Sequence, residues 1–106
     1  PSADQNYPVI DLIMEMSNHW SQIKWKDVSD NKSHLYEAGL LKLNCDKALL
    51  DLKWHSALQF KDTVKMTVEW YKKYYQNEDH SMYEFTISQI DSYIRLAKLN
   101  NLPWAF

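Results

Sequence analysis

The chain holds one glycine, Gly39, and one cysteine, Cys45, in 106 residues. Glycine supplies the positive-φ turns and close backbone approaches on which phosphate-cradling loops are built. A single glycine therefore excludes both the GxGxxG dinucleotide fingerprint and the GxxxxGK(S/T) phosphate loop. A lone cysteine cannot close an internal disulfide, which points to a cytoplasmic setting, and it has no C-x-x-C partner for a structural zinc site. No apolar run is long enough to span a bilayer, and PSADQNYPV at the N-terminus has neither a basic region nor an apolar signal core. Runs of like charge are missing, and the formal net charge is -2, so the basic excess of a non-specific nucleic-acid binder is absent. The expectation is one cytoplasmic domain over residues 1–106, with neither nucleic acid nor membrane as a partner.

What the chain does contain is apolar and aromatic: 45% hydrophobic residues and 14% aromatic, including five tryptophans and seven tyrosines. That content suits one compact core. Val9, Leu12, Ile13, Met16 and Trp20 fall on one helical stripe within residues 8–20, with Pro8 tolerated in the first turn. Residues 22–25 (QIKW) alternate polar and apolar and read as a short strand, as do residues 40–44 (LLKLN); the polar stretch between them reads as a loop. A helix over 45–52 follows, with the Asn44 side chain placed to cap it and Asp46 at the positive end of its dipole. Residues 59–75 carry the strongest helical pattern, with Phe60, Val64, Val68, Tyr71 and Tyr75 on one face and the lysines and acids on the other. After QNEDHS, a last helix over 82–99 stripes Tyr83, Ile87, Ile90, Ile94 and Ala97, and NLPWAF forms a short apolar tail. The expected fold class is α+β and mostly helical, with four helices and one small two-stranded sheet.

Candidate chemistry is thin. His19, His34, His55 and His80 make no HxxxH or HExxH spacing, so no metal site is expected. Cys45 at a helix start has the setting of an activated thiol, yet it needs a base such as His34 or His55 to fold beside it, and free cysteine more often simply packs. The carboxylate pairs Asp27/Asp30 and Glu78/Asp79 lie in polar loops, where solvated charge is the ordinary state. A nucleophile elbow also needs glycines that the chain lacks. Trp54 and Trp70 read as core. The aromatic load exceeds what one small core can hide, and the surplus marks an interface.

The stretch EAGLLKLNCDKALLDLKW (37–54), followed by TVKMTVEWYK (63–72), resembles the C-terminal part of the CDP-glucose 4,6-dehydratases, nucleotide-sugar enzymes of the extended short-chain dehydrogenase/reductase class. The match runs through Glu37 and Ala38, then Leu41, Leu43 and Asn44, then Asp46-Lys47-Ala48 and the Leu52-x-Trp54 turn. It ends on Thr67-Val68-x-Trp70-Tyr71, and SQIDSYI (88–94) is similar to the family's closing helix. The family's turn reads Leu-Gly-Trp where this chain has Leu52-Lys53-Trp54. Its usual histidine before the glutamate is Tyr36 here, and His34 stands where some relatives place a phosphate-contacting arginine.

The resemblance implies the substrate-binding lobe of a larger enzyme that oxidises a sugar at C4 with NAD, eliminates water across C5–C6 and returns the hydride to C6. The glycine-rich loop and the Tyr-x-x-x-Lys pair of such enzymes are not in this sequence. The resemblance therefore implies no catalytic residue and no cofactor site in these 106 residues, with NAD belonging to the full-length enzyme. It assigns Glu37 to the ribose hydroxyls of a nucleotide-sugar, flanked by Tyr36 and His34 at the nucleotide end. The implied partner is the missing Rossmann domain, or a second copy meeting an exposed aromatic face. Two other readings stand beside it: a self-standing helical interaction or dimerisation module, and a small thiol enzyme using Cys45.

Overall fold

A computed structural model of the chain describes residues 6–28, 42–76 and 81–106. In order these form α1 (Val9–His19), α2 (Asp46–Leu52), α3 (Phe60–Gln76), α4 (Met82–Leu99) and a final 3-10 turn, Pro103–Ala105. No described helix is long and apolar enough to cross a membrane.

Helix α1 starts one residue later than the pattern suggests. Pro8 is extended (φ -60, ψ 156), and its carbonyl accepts the Asp11 and Leu12 amides at 3.1 and 3.3 Å. His19 in the last turn lies 3.1 Å from Glu15 one turn back. Ile13, Met16 and Trp20 of the expected stripe turn inward, half-buried, while Val9 and Leu12 stay exposed.

The expected two-stranded sheet is a correction: the described residues contain helices and no strand. In residues 22–25 both backbone groups of Ile23 are already bonded to the end of α1, which takes them out of any ladder. The Ile23 amide donates to the Trp20 carbonyl at 3.0 Å, and the Ile23 carbonyl sits 3.1 Å from the Ser17 hydroxyl. In the second segment, residues 40 and 41 lie outside the described residues, and residues 42–44 run irregularly into α2. There the Asn44 side-chain oxygen accepts the Asp46 amide at 2.7 Å, and its NH2 group donates to the Asp46 carboxylate at 2.8 Å. The N-cap itself is Cys45, not the expected Asn44, which reaches the first amide of α2 from one residue further back. A lone two-stranded ribbon is marginal in water at best, so local bonds of this kind readily displace it.

Helix α2 ends in a tight reversal. Lys53 adopts the left-handed conformation (φ 54, ψ 27), its amide donates to Leu49, and the Trp54 amide donates to Ala48 at 3.2 Å. That six-to-one bond is the Schellman closure, whose left-handed position glycine fills without a Cβ clash. The family's Leu-Gly-Trp turn carries its glycine at this position.

Helix α3 is the hub. Val64 and Val68, one turn apart, are buried, and with Ala57 and Ala97 they make up the fully buried apolar side chains among the described residues. Helix α1 lies along them in the same direction as α3. Tyr7 stacks on Phe60 at 3.8 Å where both helices begin, and Trp20 meets Tyr75 at 6.2 Å where both end. Helix α4 runs antiparallel on another face of α3. The Trp70 indole N–H donates to the Thr86 hydroxyl at 2.9 Å, Gln89 donates to the Met66 carbonyl at 2.8 Å, and Lys73 lies 4.6 Å from the Phe85 ring.

The inward face of α4 is therefore the one holding Phe85, Thr86, Gln89 and Leu96. Of the expected stripe Tyr83, Ile87, Ile90, Ile94 and Ala97, only Ala97 is buried. Beyond α4 the apolar tail folds back. Asn101 takes a left-handed turn (φ 53), Tyr93 stacks on Trp104 at 5.5 Å, and the Trp104 N–H donates to the His55 carbonyl at 2.8 Å. The chain end is thus tied to the loop that follows α2.

Two stability outcomes follow. Lys53→Gly removes a left-handed Cβ clash worth about 1–2 kcal/mol, partly offset by glycine's extra freedom in the unfolded chain, so urea unfolding gives a gain of about 1 kcal/mol. Val68→Ala opens the centre of the α1–α3 contact and costs about 2 kcal/mol, whereas Leu50→Ala on the exposed side of α2 changes stability by less than about 0.5 kcal/mol.

Candidate functional site

Glu37, Tyr36 and His34, the residues assigned to the nucleotide end of a substrate, lie outside the described residues, as do His80, Asp30, Glu78 and Asp79. The described residues supply the frame on their C-terminal side. Asn44 and Asp46 lock the start of α2 through their reciprocal pair of hydrogen bonds, and the Schellman turn at Lys53 fixes where α2 hands over to the loop before α3.

The thiol reading gains no support from its surroundings. Cys45 is half-buried at the mouth of α2, and its carbonyl accepts the Leu49 amide in the first helical turn. Of the described histidines, His19 pairs with Glu15, and His55 is exposed. Neither hydrogen-bonds the thiol, so a base for Cys45 is absent among the described residues. Nor do the described histidines, cysteine and carboxylates gather three together in a way that could hold a metal ion.

Among the described residues, two clefts lie between α3 and α4, on either side of the Gln89–Met66 hydrogen bond. One is a cleft of about 390 Å³ lined by Met66, Thr67, Trp70, Tyr71 and Gln89. Its walls are aromatic and aliphatic, and Trp70 is held in place by its bond to Thr86 and by stacking on Tyr74 at 5.7 Å. The other, about 420 Å³, is bounded by Asp62, Lys65 and Glu69 on α3 and by Phe85, Ser88 and Tyr93 on α4. The Lys65 ammonium and the Glu69 carboxylate there are 3.9 Å apart and both solvent-exposed, a loose pair with little hold on either group. Neither cleft brings together a nucleophile, a base and an oxyanion donor. The arrangement suits binding rather than bond-making.

Thr86 and Gln89 are the positions that pattern reading misses. Both are polar residues on the inward face of α4, where each satisfies a specific α3 partner. The signal for them is indirect, since a polar residue on a buried helix face has to have a hydrogen-bond partner. Trp70, expected as core, is half-buried and serves as the donor that registers α4 on α3.

Comparison with known proteins adds one relationship. No family model matches the chain, and no solved structure does. Among curated proteins, it is 31% identical over 78 residues to the CDP-glucose 4,6-dehydratase of Salmonella typhimurium, a match covering 72% of this chain and 21% of that enzyme. The chain therefore spans about a fifth of the length of the relative it matches. The chain is a distant relative of CDP-glucose 4,6-dehydratase.

Proposed function

We propose that this chain is the C-terminal substrate-binding lobe of a nucleotide-sugar dehydratase-like protein of bacterial surface-polysaccharide synthesis, contributing part of the substrate wall and no catalytic residue. The observation that carries this reading is the agreement in order and spacing between its motifs and those of the family, together with the 31% identity across 72% of the chain. The left-handed backbone at Lys53 supports it further, because glycine, which the resemblance places at this position, is the residue that adopts such a backbone without strain.

In this reading Glu37 binds the nucleotide end. A carboxylate has lone pairs enough to accept hydrogen bonds from two adjacent ribose hydroxyls, and such charge-assisted bonds are roughly twice as strong as neutral ones. Tyr36 and His34 flank it and complete that end of the wall. One glycine excludes the Gly-rich dinucleotide loop from these residues, so in this reading NAD is held by another part of the full-length enzyme. Hydride transfer thus belongs to a domain outside these residues, and the lobe's own work is to hold and orient the sugar donor.

Calorimetry tests the incomplete site. The chain alone binds CDP-glucose no more tightly than about 1 mM, because one wall of a cleft gains too little to offset the cost of immobilising the ligand. Micromolar binding by the isolated chain overturns the reading. Grafted in place of the matching segment of the Salmonella enzyme, the chain restores binding, and Glu37→Gln in that graft weakens it by about tenfold or more. Unchanged binding in the Glu37→Gln graft removes Glu37 from the site.

A further inference from the structure

Among the described residues, Lys53 and Asn101 are the non-glycine positions with positive φ, at 54° and 53°. The first closes α2. The second closes α4, where the Asn101 amide donates to Lys98 at 2.9 Å and the Leu102 amide to Ala97 at 3.0 Å. The stretches that leave these two reversals, residues 54–58 and 102–106, meet each other. The Trp104 indole N–H donates to the His55 carbonyl at 2.8 Å, across 49 positions of sequence, and its ring stacks on Tyr93 of α4. Beside this joint Ala57 is buried and seats the loop on the body of the molecule.

Helix α2 depends on that joint. It is seven residues long, well short of the roughly 12–15 below which an isolated helix is marginal in water. None of its side chains is buried, and the closely packed pairs of described elements are α1 with α3, α3 with α4 and α4 with the Pro103–Ala105 turn. Its turns are therefore held from its ends, by the Asn44–Asp46 bonds at one and by the Lys53 reversal and the loop behind it at the other. We propose that Trp104 is the latch of this arrangement: α2, residues 53–56 and residues 101–106 open and close as one cooperative unit while α1, α3 and the rest of α4 stay folded. The joint is one solvent-exposed hydrogen bond and one ring stack, set against two buried valines on α3, which ranks it at the low-stability end of the molecule. The coupling is reciprocal. Whatever draws Trp104 off His55 melts α2, and whatever holds α2 tightens residues 101–106.

The inference does not rest on the nucleotide-sugar reading, and hydrogen exchange of the 106-residue chain tests it with no ligand present. In the unsubstituted chain the Trp104 indole proton and the Leu49, Lys53 and Trp54 amides share one protection factor to within about threefold, well below that of the Val68 amide. Trp104→Phe keeps a ring on Tyr93 and removes the donor, and it lowers protection of those three amides about fivefold, the loss of one net hydrogen bond. Trp104→Ala removes the stack as well and lowers it about thirtyfold. In both variants the Val64, Val68 and Gln89 amides keep their protection within about twofold. Amides of α2 that are indifferent to Trp104→Ala, or unprotected in the unsubstituted chain, overturn the proposal. So does an equal loss of protection in α2, α3 and α4, or failure of Trp104→Ala to fold, because the ring is then an ordinary part of the core. An indole proton as protected as the Val68 amide overturns it without any substitution.

Discussion

Two valines one turn apart on α3 hold the described structure together. Val64 and Val68 are buried on the face of α3 between Phe60 and Tyr75, the two rings that meet Tyr7 and Trp20 at the ends of α1. Each buried valine contributes roughly 1.5–3 kcal/mol relative to exposure, a large share of what a domain this small can gather. With its valine face taken by α1, α3 offers α4 the neighbouring face, whose contact is polar and specific: an indole to a hydroxyl and an amide to a carbonyl. The valines supply stability, and Trp70 and Gln89 supply register.

This division explains why so much apolar surface is left over. The fully buried apolar side chains of the described residues are two valines and two alanines, whereas the exposed ones include three leucines of α2, three isoleucines of α4 and several tyrosines. Exposed apolar patches of this extent mark surfaces that meet something else.

Much of this was legible in the residues, and the exceptions have physical causes. The α3 face of Val64 and Val68 shows directly as a helical period, whereas the expected cap is displaced by one residue: Cys45 stands at the N-cap and Asn44 accepts the first amide of α2 from just before it. The sheet was misread because alternation in a four-residue segment such as QIKW says nothing about whether its backbone groups are free to pair, and here Ser17 and Trp20 take them. The inward face of α4 was misread for a related reason. Ile87, Ile90 and Ile94 make the stronger apolar stripe, yet hydrogen bonding from Trp70 and Gln89 decided which face turns in. Of the candidate site, only the frame after residue 41 can be compared with the expectation, and Glu37, Tyr36 and His34 lie outside it.

The central claim is that these residues form one wall of a larger nucleotide-sugar site. Reading the coding sequence immediately before Pro1 tests it most directly. The account predicts an in-frame Rossmann domain there, with a glycine-rich loop after its first strand and a Tyr-x-x-x-Lys pair. An initiation codon directly before Pro1, with no such domain encoded beside it, would contradict the account.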